Sequence, residues 1–261
     1  MAELNRANRQ VCDVDIRILK TKAPFLKFDT ANTTTAGISG DSVYAMAKGA
    51  RRIAFANPIQ GTMSIEAQVY PFKFFSLLSD GVISNEAVYP VHTVITAAAA
   101  GKLPLAVPAG NSVVTGTVFV YPEGSFGDEA AAIAGSFASG EFTATTAADI
   151  AVGGKYEVGF VANRTSGVKK ISFNNKKLPQ DYFITMQTLD KDEQDNLTPF
   201  LMTAYKATIQ RTFDLSFSSE GDPATVTLNF DLMEDKDGNV LDMVEITDEL
   251  VINPVEESSN P

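Results

Sequence analysis

The sequence predicts a mainly β fold, an antiparallel β-sandwich or barrel with one short α-helix packed on the sheet, and three observations predict it. First, apolar and polar residues alternate over long stretches. Tyr205, Ala207, Ile209, Phe213, Leu215 and Phe217 interleave with Lys206, Thr208, Gln210, Thr212, Asp214 and Ser216, and Val226, Leu228, Phe230 and Leu232 repeat the pattern. A period of two places each set on one face of a strand, whereas a helix would mix them. Second, Gly and Pro punctuate a succession of short strand-like runs at sandwich spacing. Third, the period changes to a helical one only once, between Pro71 and Gly81. The first alternating run has 14 residues, about 46 Å at roughly 3.3 Å per residue, beyond the usual strand of about 5–6. A strand that long bends or needs neighbours, and an open edge invites another chain.

Taken in order, residues 1–12 are polar and read as an N-terminal arm. Val14, Ile16 and Ile18 then alternate with Asp13, Asp15 and Arg17 as the first strand of a body spanning 13–250. Residues 31–41, rich in Thr, Gly and Asn, predict an exposed loop with a contact role. Residues 42–55 predict two short strands around Lys48-Gly49, with Asn57-Pro58 ending the second. Met63, Ile65, Ala67 and Val69 alternate with Ser64, Glu66 and Gln68, and Pro71 breaks that strand. In Phe72 to Asp80 the polar set Lys73, Ser76, Ser79 and Asp80 lies at helical spacing, with Pro at the first position and Gly81 past the last, which predicts about two to three turns of helix.

Strand signals resume at 88–96, 113–121, 141–145, 156–162, 170–173 and 182–188. Small-residue stretches at 97–100 and 130–140 bracket a possible insertion or outer domain at about 98–167. Glu220-Gly221-Asp222-Pro223 signals a turn, and Asp235-Lys236-Asp237-Gly238-Asn239 predicts a hairpin turn between Leu232 and Val240 rather than a calcium loop. Residues 251–261 read as a flexible C-terminal tail.

Composition narrows the function. At 261 residues and 44% hydrophobic content the chain can bury a proper core. Its formal net charge of -11 opposes a phosphate backbone, so nucleic-acid reading is excluded by charge. Cys12 is the only cysteine, which rules out an internal disulfide. The first ten residues lack a secretory apolar run and no stretch approaches the roughly 20 apolar residues of a membrane span, so synthesis in a cytoplasm without export, with no membrane contact, is the expectation.

No catalytic, cofactor-binding or metal residues are expected, and no cofactor. His92 is the only histidine and sits in a strand-like run, so no second histidine exists for a zinc or iron site and all-carboxylate magnesium or calcium sites are the only metal option, while a Ser/His/Asp arrangement would have to recruit His92, near which nothing suggests a nucleophile elbow. Gly40-Asp41-Ser42 superficially resembles an esterase nucleophile block without the histidine partner it needs. Phosphate-loop, dinucleotide and zinc-peptidase motifs are absent.

Two blocks carry a resemblance. Residues 51–81, from Arg51 through Asn57-Pro58 to Gly81, are similar to the strand-then-helix unit of the major tail tube proteins of long-tailed bacteriophages. Residues 205–239 are similar to the closing meander of the same proteins. The resemblance implies protomers in rings, six-fold in that family, stacked into a hollow virion tail tube that conducts the genome, with other tail proteins as partners and DNA passing transiently without specific binding. It also implies that the 1–12 arm, the 31–41 loop and the C-terminal tail bridge neighbouring copies. The alternatives are a capsid-decorating or other virion β-protein, and a carbohydrate-binding β-module with an aromatic platform from residues such as Tyr70, Tyr89 or Tyr121.

Overall fold

The computed structural model describes residues 5–107, 109–215, 220–221 and 223–247. The tail expected at 251–261 and Phe217 of the long run lie outside the described residues. Two compact units divide the chain, residues 1–81 with 173–261, and Val82–Ser172.

The first unit opens with β1 (Arg6–Ala7), β2 (Asp13–Ile18), β3 (Pro24–Phe28), β4 (Thr33–Ser39), β5 (Ser42–Ala47), β6 (Ala50–Ala56) and β7 (Gln60–Ala67), followed by a short helix at Phe72–Leu78. The second unit holds β8 (Ala87–Thr96), β9 (Lys102–Pro104), β10 (Asn111–Val113), β11 (Phe119–Pro122), β12 (Gly135–Ala138), β13 (Glu141–Ala144) and β14 (Lys155–Arg164). The chain returns to the first unit as β15 (Asp181–Asp192), β16 (Leu197–Ile209), β17 (Val226–Met233) and β18 (Leu241–Glu245). The fold is mainly β, built from antiparallel sheets.

A nine-stranded sheet in the order β3-β2-β15-β16-β17-β7-β4, with β1 on β15 and β18 on β16, forms the first unit. Its inward face is the predicted apolar set: Val14 and Ile16 of β2, Met63 and Ile65 of β7, and Val226, Leu228, Phe230 and Leu232 of β17 converge on one core. Gly61 of β7 faces Leu232, and a Cβ there would lie 2.8 Å from the Leu232 Cβ, so only glycine lets these two strands pair this closely. The short helix caps this core with Phe74, Leu77 and Leu78. It is wound as a 3₁₀ helix, with Phe74 N–H donating to the Pro71 carbonyl at 2.9 Å. That tighter pitch eclipses positions three apart, which aims Phe74 and Leu77 together at the sheet.

The sequence-based expectations differ from the structure at three places in this unit. The loop expected at 31–41 is the strand β4, paired with β7 over seven residues. Its threonines are β-branched and Thr34 and Ala36 point inward, so a neighbouring strand outweighs the Gly and Asn signals. Among the described residues the strand of the long run ends at Ile209. β16 starts earlier, at Leu197, and ends at Ile209, after which Phe213 turns to pack 6.0 Å from Phe75 and 5.3 Å from Phe173. β17 meets β16 over four residues, and the Gln210 N–H still donates to the Asn229 carbonyl at 2.8 Å before the chain leaves that edge.

The third difference is the Asp235 turn, which does not reverse the chain into a hairpin. Met233 pairs with Lys206 and Leu241 with Ala204, so β17 and β18 follow one another along the same edge of β16 and residues 234–240 are an excursion between them. Asp235 holds that excursion, its carboxylate accepting from the Asp237 and Asn239 amides at 2.9 Å each, with Gly238 at φ 84°.

In the second unit β14 is flanked by β8 on one edge and by β10 and β11 on the other, while β12, β13 and β9 form a three-stranded sheet. Leu103, Phe142, Ile150 and Val158 fill the core of this small sandwich. The strand expected at 113–121 is split into β10 and β11 at Gly116, which has φ 78°. The unit is wider than the segment at about 98–167 and includes β8.

Candidate assembly surface

β4 leads into β5 and β6 into β7, so residues 33–67 make one long hairpin. Its proximal half, β4 with β7, belongs to the nine-stranded sheet, and its distal half, β5 with β6, is a two-stranded sheet of its own. The turn is Lys48-Gly49, as the sequence predicts, with φ of 52° and 79°. Positive φ at both central residues is the two-residue geometry whose twist matches a hairpin.

Register assigns the faces. Val43 opposes Phe55 and Ala45 opposes Ile53, giving one wholly apolar face, while Tyr44 opposes Ala54 and Met46 opposes Arg51 on the other. A bulge between Ala45 and Met46 leaves Arg52 as the additional residue, and the Arg51 guanidinium lies 4.3 Å over the Tyr44 ring. Val43 is 58% exposed, Ile53 58% and Phe55 57%. Burying a side chain of this kind is worth about 1.5–3 kcal/mol, and an isolated two-stranded ribbon is marginal in water. A contiguous apolar face left open in this way marks an interaction surface.

The outward face of the nine-stranded sheet has the opposite character. Thr62, Ser64 and Glu66 of β7 stand beside Thr227, Asn229 and Asp231 of β17, with Lys206 and Thr208 of β16 alongside. Gln210 donates to Asp231 at 2.8 Å, Thr208 donates to Asp181 at 2.8 Å, and the Lys206 ammonium is 3.9 Å from the Asp181 carboxylate. Hydroxyls, amides and carboxylates thus cover the β7, β17 and β16 part of this side, and a Phe183–Tyr205 aromatic pair, 6.1 Å apart, stands beside it.

Residues singled out for chemistry do not converge. His92 lies on the outer face of β8, its Nε2 3.3 Å from Glu157 Oε2 and its ring 4.2 Å from Phe126, with Phe126 lying over Gly159, where a Cβ would meet the ring at 2.8 Å. Ser42 of the esterase-like block begins β5 of the first unit, whereas His92 belongs to the second. Asp192 and Asp235 are held below the ordinary carboxylate range, chiefly by the Asn196 side chain in the first case and the Asn239 amide in the second. Among the described residues no three or more His, Cys, Asp or Glu side chains group as a metal site, and no helix is long and apolar enough to cross a membrane.

The tyrosines of the supposed platform are half-buried and separately engaged. Tyr70 stacks on Phe74 at 5.6 Å, Tyr89 accepts from Arg164 at 3.1 Å, and Tyr121 meets Phe126 edge-on at 5.3 Å. What the sequence reading passed over is the apolar hairpin face. Its signal was present, since Val43, Ala45, Ile53 and Phe55 fall at alternate positions on either side of a turn.

An open apolar ribbon mounted on a sheet with a polar outer face defines a structural β-protein whose surface is built for other chains. Residues 9–246 match the profile of the YomU/Tube protein family, and the chain belongs to that family. It is therefore a phage tube-type structural protein. A comparison with curated proteins returns no match.

Proposed function

We propose that this protein self-assembles into rings, six-fold as in the tail tube proteins it resembles, which stack into the tail tube of a long-tailed phage and give the genome its channel. The observation that carries the proposal is the β5–β6 hairpin, whose apolar face of Val43, Ala45, Ile53 and Phe55 has no cover within its own chain among the described residues. The polar outer face of the nine-stranded sheet suits the channel lining. DNA must slide without sticking, and a wall of hydroxyls, amides and acids in a chain of net charge -11 avoids the phosphate contacts that a basic wall would make. The bridging role is assigned to the 1–12 arm by its position alone, since Arg6 and Ala7 pair with Asp192 and Lys191 of their own chain. The Val82–Ser172 unit, with its own core, is the candidate for the added domain expected at about 98–167.

Negative-stain electron microscopy of the purified full chain, with sedimentation velocity, tests the proposal. Rings or filaments are expected for the wild type, and Val43→Ser combined with Phe55→Ser should leave a folded monomer. Closed, non-tubular particles, or a wild type that stays monomeric at high concentration, would overturn it.

A further inference from the structure

The apolar hairpin has a second feature that identifies what it meets. Lys48, Arg51 and Arg52 place three cations within five residues at its tip, in a chain where acids outnumber bases 32 to 21. Among the described residues no carboxylate forms an ion pair with any of them. Other lysines and arginines do find acids, as Arg6 does with Glu245 and Lys177 with Asp80.

The complementary charge lies at the turn joining β15 to β16. Asp190, Asp192, Glu193 and Asp195 crowd there with Lys191 as the one cation. Asp192 is committed to holding the turn, accepting from the Gln194 and Asn196 amides at 2.8 Å each, so the turn is a fixed shape. Glu193 and Asp195 are exposed, the Glu193 carboxylate accepting from Asn5 at 2.7 Å and the Asp195 carboxylate 2.6 Å from the Lys191 ammonium. Beside this turn a groove of about 410 Å³ runs between the N-terminal arm and the strands, with Ala7, Leu189 and Leu197 on its walls. Asn8, Arg9, Gln10 and Lys191 also line it, so the groove offers the apolar ribbon the Ala7, Leu189 and Leu197 part of its wall, and the basic tip finds its acids only at the turn itself, at Glu193 and Asp195.

Strand register places both features at one end of the nine-stranded sheet. β17 runs toward Met233, opposite Gly61 near the start of β7, so the hairpin leaves the sheet in that direction. β16 pairs with β17 near its end and with β18 further up, so its beginning, and the turn before it, lie in that direction too. The hairpin leaves from the β4–β7 side and the acidic turn from the β15–β1 side. Two features at the same end of a sheet, one leaving from its β4–β7 edge and the other from the β15–β16 turn, can meet in a head-to-tail contact repeated by rotation.

We infer that the β5–β6 hairpin of one copy lies in the groove between the arm and the β15–β16 turn of a second copy of this chain, its basic tip against Glu193 and Asp195. The inference rests on the self-assembly proposed above and names the partner surface for it.

Charge exchange in the full chain tests it, read as the concentration at which assemblies appear in sedimentation velocity. Lys48→Glu with Arg52→Glu leaves the Arg51–Tyr44 stack in place and should raise that concentration by about tenfold or more, as should Glu193→Lys with Asp195→Lys. The four changes together should recover assembly, and mixing the two double variants should recover it in part. Raising salt from about 0.1 M to about 1 M, which shortens the Debye length from about 10 Å to about 3 Å, should weaken the wild type and leave Lys48→Glu with Arg52→Glu less affected. Circular dichroism of each variant separates misfolding from lost contact, and recovery in the fourfold variant excludes it.

Wild-type assembly by either double variant, or a fourfold variant no better than the doubles, overturns the inference. So does loss of assembly on deleting residues 248–261 while the turn reversal has no effect, which would make the acidic tail the partner. If tubes form and Val43→Ser with Phe55→Ser abolishes them while charge is indifferent, the pairing falls and the tube function stands. A wild type that never assembles removes both.

Discussion

The β7–β17 ladder and the β5–β6 hairpin are written in the same local code and end in opposite environments. In both, antiparallel strands put apolar side chains opposite one another, Ile65 facing Leu228 and Met63 facing Phe230 in the ladder, Val43 facing Phe55 and Ala45 facing Ile53 in the hairpin. The ladder's residues are fully buried under β2 and the 3₁₀ helix, whereas the hairpin's large side chains stand more than half exposed. Alternation specifies a strand and its two faces; it does not specify who covers the apolar one. For the ladder the cover lies in the same chain, and for the hairpin the family and the exposed face point to another.

That contrast can be broken most forcefully in the ladder. Phe230→Ala should cost about 3–5 kcal/mol of folding stability, measured by urea unfolding, because the site is closed on every side and leaves a cavity. A comparable loss from Phe55→Ala in the monomer would mean the hairpin is covered after all. The expected result there is a change within about 0.5 kcal/mol, as for exposed sites, together with loss of assembly. Gly61→Ala is next in size. A Cβ 2.8 Å from Leu232 and 2.9 Å from Val240 must push β7 from β17, at a cost of about 1–3 kcal/mol that thermal unfolding would read.

Tyr182 sharpens the comparison from the other side, because the ladder's core contains a polar group with nothing to bind. Its hydroxyl is buried and unpartnered, and burial pushes its pKa well above the ordinary value, with Asp80 adding to the shift. Tyr182→Phe should be neutral or stabilise by about 1 kcal/mol. A group with a raised folded pKa contributes fully below its unfolded value of 10.0 and loses that contribution as pH rises beyond it. The wild type should therefore weaken above about pH 10, and the phenylalanine variant should weaken less, which melting temperature against pH would read.

The smallest effect is at the acid end, where Asp192 and Asp235 have depressed pKa values. Their contribution is complete above the ordinary carboxylate value of 3.8 and fades as pH falls through the lower folded values. Asp235→Ala should flatten the acid limb of the stability profile slightly, and an unchanged limb would show that the Asp235 turn carries no stabilisation.

Much of the fold is legible in chain order because its causes are local. Val14 and Ile16, Met63 and Ile65, and Val226 to Leu232 alternate and fall on the core face. Lys48-Gly49 supplies the two positive φ values of its turn, and the residues from Pro71 to Gly81 form a helical segment whose apolar side meets the sheet. The failures share a cause as well. Thr33 to Ser39 become a strand because β7 offers an edge, and Arg211 to Leu215 do not because the chain leaves β17 after Gln210 and Phe213 packs on Phe75 and Phe173 instead. The Asp235 excursion looks like a hairpin turn when only the nearest residues are considered, and only the pairing of β18 with β16 reveals that the chain resumes its direction.

The candidate surface divides in the same way. Its ingredients, two alternating strands around Lys48-Gly49 and three nearby cations, stand in the sequence for anyone to count. Their meaning depends on what no stretch of chain contains, namely that nothing else in the described fold folds back over Val43, Ile53 and Phe55. Propensity, turn chemistry and the two-residue period act over a few bonds, so chain order alone settles strand character, face and turn. Edge occupancy and cover depend on which distant segments win a place beside a strand, a competition among contacts far apart in the chain. For this reason the strand character of Tyr205 to Ile209 and of Val226 to Leu232 was determined locally, while their place inside the nine-stranded sheet, and the hairpin's exposure, came only from three-dimensional packing.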